Sequence, residues 1–138
     1  MKQLIRIFGL FALMAASFPP AAGADDRDDC NNSNPDLAIS GCSGIIDAAT
    51  ETKENIAVAY RLRGIAYGKK GDDERAIKDF DKIIALYPKN ANSYFKRALA
   101  YEKAGNTKLA AADYRKVLSL RPADKDALQA LDRLKAAP

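Results

Sequence analysis

The sequence predicts an all-α protein built from stacked helix–turn–helix units, and three observations carry that prediction. Displacing the chain against itself by 34 residues lays Ala57–Pro88 over Ala91–Pro122, and 12 of the 32 pairs are identical. They are Ala57/Ala91, Tyr60/Tyr94, Arg63/Arg97, Ala66/Ala100, Tyr67/Tyr101, Lys69/Lys103, Gly71/Gly105, Ala76/Ala110, Asp79/Asp113, Lys82/Lys116, Leu86/Leu120 and Pro88/Pro122; ordinary residue usage predicts roughly 2 or 3. Within each unit the apolar and small residues recur at three and four positions, the spacing of one helix face. Both units also break at a glycine and stop before a proline, the punctuation of paired helices.

Residues 1–24 read as a leader that is removed. Lys2 and Arg6 precede an apolar stretch, Ile7 to Phe18, and then come Pro19-Pro20 and the small residues Ala22-Gly23-Ala24. This is the order of a secretory signal peptide, with cleavage expected after Ala24. A membrane helix needs roughly 20 apolar residues, and this stretch is stopped sooner by two prolines. The remaining 114 residues carry a formal charge of +2 instead of +4. The expected location is therefore the periplasm or the exterior, with no integral membrane segment after cleavage. An oxidising compartment favours a bond between the two cysteines, Cys30 and Cys42. They lack the two-residue spacing of a redox-active pair.

Residues 25–34 form an acidic N-terminal segment. Asp25, Asp26, Asp28 and Asp29 lack the spaced glycine and terminal glutamate of a calcium loop, so a solvated, mobile end is expected. Residues 35–56 read as a degenerate half repeat and linker: Ala38, Ile39, Cys42, Ile45 and Ile46 stand 38 positions before Ala76, Ile77, Phe80, Ile83 and Ile84. Asn34-Pro35 supplies the start signal of that helix. In the first full unit, 57–90, Ala57, Tyr60, Gly64 and Tyr67 form one helical stripe. Gly71 ends that helix, Asp72 or Asp73 caps the next, and Ala76, Phe80 and Ile83 face inward. The second unit, 91–124, repeats the plan with Gly105 and Asn106 at its break. Residues 125–138 read as a capping helix behind Asp124, with Leu128, Leu131 and Leu134 as its apolar edge and Asp126, Gln129, Asp132, Arg133 and Lys135 toward water.

A 34-residue period with small, aromatic and proline residues at these offsets resembles the tetratricopeptide repeat, or TPR. The resemblance implies an α-α superhelix, closed here by the C-terminal capping helix, whose first helices line a concave surface that binds peptides or extended segments of other proteins. Carried over position by position, the groove is formed by Val58, Arg61, Ile65 and Lys69 of the first repeat, with Gly68 beside them. The second repeat adds Asn92, Phe95, Leu99, Glu102 and Lys103. Its apolar strip beside Arg61 suits an apolar or amphipathic segment carrying an acidic group. The pattern departs from the basic, asparagine-rich carboxylate clamp of chaperone-binding members, because Ile65 and Leu99 stand where asparagine is wanted; that mode of recognition is not expected. The N-terminal segment, the last helix or a second copy of the chain are rival occupants of the same strip, so homo-oligomerisation stays open.

Other chemistries have little to stand on. The chain has no His and only two Cys, which removes the commonest general base and the commonest metal ligand. No catalytic residue, metal site or cofactor is expected. A formal charge of +4 without a basic block gives no footprint for nucleic acid. Arg63 and Arg97 invite a phosphate reading, yet each repeats with an aspartate sixteen positions on, Asp79 and Asp113. An ion pair inside each repeat is the expected outcome, since framework residues recur and ligand contacts need not. A non-enzymatic adaptor or scaffold of the cell envelope is the function these features favour. The alternatives are a periplasmic chaperone for exported proteins and, further behind, a small enzyme working through Asp47, Glu51 and Glu54.

Overall fold

The computed structural model describes residues 23–48 and 50–136; the leader expected at 1–24 lies almost wholly outside them. Among the described residues seven helices follow one another: α1 (Ala24–Cys30), α2 (Pro35–Asp47), α3 (Lys53–Lys69), α4 (Asp73–Leu86), α5 (Ala91–Lys103), α6 (Thr107–Leu120) and α7 (Lys125–Ala136). Each packs on the next in chain order, and among the described residues there is no strand. This is the expected all-α solenoid.

The turns form where the sequence places them. Gly71 and Gly105 have φ of +77° and +79°, the left-handed conformation in which a side chain is strained. The Asp72 carboxylate accepts the Arg75 amide at 3.0 Å and starts α4. Asn34, Thr52 and Asn90 accept amides of the first turns of α2, α3 and α5, and Asp124 accepts that of Ala127 at 3.0 Å. The cap at Thr52 adds a turn that the repeat register leaves out, because α3 begins at Lys53 rather than Ala57.

Three apolar clusters run along the solenoid. Cys30, Cys42, Ile45 and Ala59 join α1, α2 and α3; Tyr67, Ala76, Phe80, Ile83 and Ala100 join α3, α4 and α5. Ala98, Ala110, Tyr114, Val117, Ala127 and Leu131 join α5, α6 and α7. Between these layers lie the ion pairs expected from the repeat. Arg63 donates to both oxygens of Asp79 at 2.9 and 2.8 Å, and Arg97 to both of Asp113 at 2.8 Å. Both aspartates are buried, so the forked guanidinium meets the requirement that a buried carboxylate be paired.

Two expectations change. The acidic segment is not a free end: residues 24–30 are the helix α1, packed on α2. The cause lies in α2, where Gly41 and Gly44 present no side chain. A Cβ on Gly41 would stand 2.5 Å from the Asp26 carbonyl oxygen and the Cys30 amide, and one on Gly44 2.6 Å from the Asp26 carboxylate. The Cys30 and Cys42 Sγ atoms, both buried, are at bonding distance, 2.01 Å. The second change concerns α7, which buries Ala127, Ala130 and Leu131 while Leu128 is exposed. Its small residues let it lie close on α6, and the leucine stripe rotates accordingly. Arg133 does not face water alone; it donates to Glu102 of α5 at 2.9 and 3.0 Å.

Candidate functional site

Helices α3 and α5, the first helices of the two units, are separated by three adjoining recesses. The largest, about 510 Å³, is lined by Arg61, Ile65, Phe80, Asn90, Asn92, Ser93, Phe95 and Lys96. A second of about 330 Å³ lies toward the N-terminal layer between Glu54, Ala57, Val58, Arg61, Ile83, Tyr87 and Asn90. The third, about 210 Å³, includes Gly64, Ile65, Gly68, Lys69, Asp73, Phe80, Lys96, Leu99 and Lys103. Shared residues, Arg61 and Asn90 on one side and Ile65, Phe80 and Lys96 on the other, make the three one continuous groove.

Eight of the nine expected groove residues line it: Val58, Arg61, Ile65, Lys69, Asn92, Phe95, Leu99 and Lys103. Val58, Arg61, Lys69, Asn92 and Lys103 are exposed, whereas Ile65, Phe95 and Leu99 are half-buried and form the floor. Phe95 is fixed there by an edge-on contact with Tyr114, ring centres 5.4 Å apart. Lys103 spans the groove to donate to the Gly68 carbonyl at 3.3 Å.

Glu102 lines none of the three recesses. The Tyr114 hydroxyl and the Arg133 guanidinium both donate to its carboxylate, so α7 claims it for the cap. Burial, followed by this carboxylate, pushes the Tyr114 hydroxyl pKa up. The sequence pattern puts Glu102 on the groove stripe but carries no sign of an arginine arriving from a helix 31 positions on.

The structure adds residues that pattern reading missed. Lys96 lines two of the recesses because it projects from the edge of the α5 stripe rather than its centre. Phe80 is buried, 3% exposed, yet its ring edge closes the floor of the same two recesses. Asn90, Tyr87 and Glu54 close the N-terminal end, the Tyr87 hydroxyl donating to Glu54 at 3.1 Å. A hydrogen bond from its own backbone amide, then the Tyr87 hydroxyl, lowers the Glu54 pKa. Asn90 is held there as the N-cap of α5, its side-chain oxygen accepting the Ser93 amide at 3.2 Å.

The groove is electropositive. Among the described residues Arg61, Lys69 and Lys96 form no ion pair. Glu51, by contrast, is engaged: Asn55 and then Arg27 lower its pKa, working against its burial, and Arg27 stands 2.6 Å away. It lies with Cys30, Ile45 and Leu62 in a small neighbouring cavity of about 140 Å³. Among the described residues no group of three or more acidic or cysteine side chains gathers as a metal site, and no helix is long and apolar enough to cross a membrane.

A family model described as tetratricopeptide repeat matches residues 62–135, which is more than half of the chain. The chain belongs to the tetratricopeptide-repeat family. No curated protein matches this TPR chain, but solved structures do. The crystal structure of MamA is 25% identical over 79% of this chain, with a TM-score of 0.69. The match spans 61% of MamA, about three fifths of its length. The TPR domain of Arabidopsis OM64 is 26% identical over 80% of this chain and 88% of that domain, with a TM-score of 0.68. The second TPR domain of human RPAP3, solved in complex with the HSP70 peptide SGPTIEEVD, shares the fold. Its TM-score is 0.70 and its identity 24%, over 82% of this chain and 94% of that one.

Proposed function

We propose that this TPR protein is a non-enzymatic adaptor of the cell envelope that binds a peptide or protein segment in the groove between α3 and α5. The observation that carries the reading is the groove itself: an open apolar floor of Ile65, Phe95 and Leu99 edged by Arg61, Lys69 and Lys96, which form no ion pair among the described residues. A surface of this kind is complementary to an apolar or amphipathic segment bearing acidic groups. The RPAP3 domain in complex with its HSP70 peptide supports the general mode of binding. It does not extend to the same ligand, because Ile65 and Leu99 occupy the places of the asparagines that a carboxylate clamp needs.

Export is the second part of the proposal and rests on the leader-like order of residues in 1–24 and on the two cysteines brought together at 30 and 42. The test is in vivo crosslinking in the producing cell followed by pull-down, comparing the wild type with Arg61→Glu, Lys96→Glu. Both side chains are exposed, so the variant keeps its fold. Phe95→Ala is a poor choice here, since it also removes the contact with Tyr114. One dominant partner lost from the variant supports the adaptor; equal recovery from both sinks the groove assignment. A broad set of exported clients, lost together, supports the chaperone alternative instead.

A further inference from the structure

We propose that the groove selects a doubly acidic internal segment, read as acid–x–apolar–x–acid in extended conformation, with one acid at each of two cationic levels. The inference rests on the groove being the binding site and adds what the site selects. One level is the recess of Arg61 and Lys96, where no carboxylate lines the wall. The other is the recess of Lys69, Lys96 and Lys103. The single carboxylate there, Asp73, has its Oδ1 buried and without a partner among the described residues, and it leaves the level net positive. Glu102, the acid on the α5 stripe, is held by Tyr114 and Arg133 and neutralises neither level.

The spacing follows from helix geometry. Arg61, in the first recess only, and Lys69, in the second only, are eight residues apart on α3; at 1.5 Å per residue the two levels lie about 12 Å apart, and Lys96 is shared by both. Ile65 and Leu99 stand between them. In an extended chain, side chains two apart share a face and four residues span about 13 Å, so acids at the first and fifth positions reach the two levels and an apolar residue at the third meets the floor. A helix carrying acids seven residues apart spans a similar length, about 10 Å, so enrichment of that spacing in place of acid–x–apolar–x–acid overturns the extended register. The second recess is open because Gly68 contributes no side chain; nothing lies within 4 Å of where its Cβ would be.

The test is selection of segments displayed internally in a carrier protein, with no free carboxyl end, against the purified full-length product. Wild type is expected to enrich acid–x–apolar–x–acid. Arg61→Glu should erase the preference for one acid, and Lys69→Glu or the space-filling Gly68→Met the preference for the other. Replacing either acid of an enriched segment by its amide should weaken binding about two- to fivefold at low salt, less at high salt. Enrichment that depends on Arg61 and Lys96 but shows no second acid overturns this inference and leaves the groove as the binding site. Enrichment indifferent to Arg61→Glu, Lys96→Glu overturns both.

Discussion

At the scale of residues, the repeated arginines are framework and the unrepeated cations are surface. Arg97 contacts Asp113 through two hydrogen bonds and also Asp81 at 2.5 Å, and it lies 5.6 and 5.7 Å from the ring centres of Tyr94 and Tyr101. These bonds, the Asp113 one foremost, raise its pKa. Arg97→Ala leaves Asp113 buried and unpaired, and is expected to cost about 3 kcal/mol, a fall in Tm of about 10 °C or more in thermal denaturation. Arg61→Ala, on an exposed side chain, should leave Tm within about 2 °C. Tyr114 gives a pH signature. Its raised pKa means the native state keeps the proton longer than the unfolded chain does, so its contribution is complete below pH 10 and is lost as pH rises further. The wild type should lose stability between about pH 10 and 12 more steeply than Tyr114→Phe in urea titrations; equal slopes would show that the hydroxyl contributes nothing there.

At the scale of elements, the ends of the solenoid differ from its middle. The two middle repeats were legible because their periodicity appears twice, and their caps and breaks sit at fixed offsets. Helix α1 was not, since Ala24-Asp25-Asp26-Arg27-Asp28-Asp29 has no apolar stripe. It is held by close approach to Gly41 and Gly44 and by the link from Cys30 to Cys42, none of which has helical periodicity. Gly41→Ala forces a Cβ into the α1 backbone and is expected to release α1, seen as rapid amide exchange of residues 24–30 while α4 to α6 stay protected. Replacing both cysteines by serine removes a closure with a sequence separation of 12, worth about 3 kcal/mol in the chain-entropy account. Thiol titration of the denatured protein recovered from the producing cell should find no free cysteine; two would refute the link. At the other end Leu131 is buried as its stripe implies but Leu128 is exposed, because Ala127 and Ala130 take the contact with α6; Arg133 stays exposed while it reaches Glu102.

At the scale of the whole molecule, the repeat plan is what the sequence by itself determined. Residues spaced by 34 must occupy equivalent places in a stack, so identical side chains at Tyr60 and Tyr94 or Asp79 and Asp113 announce both the fold and its framework ion pairs. The same logic put eight of the nine stripe residues beside the recesses near α3 and α5, because a helix's faces follow from its period. Tertiary structure alone decided which of those residues are free to meet a ligand. Glu102 is on the groove stripe and yet belongs to the cap, and Lys96 is off the stripe and yet stands over two recesses. Periodicity records the direction in which a side chain leaves its own helix, but availability depends on what a distant segment brings opposite it, and that is written only in the packing.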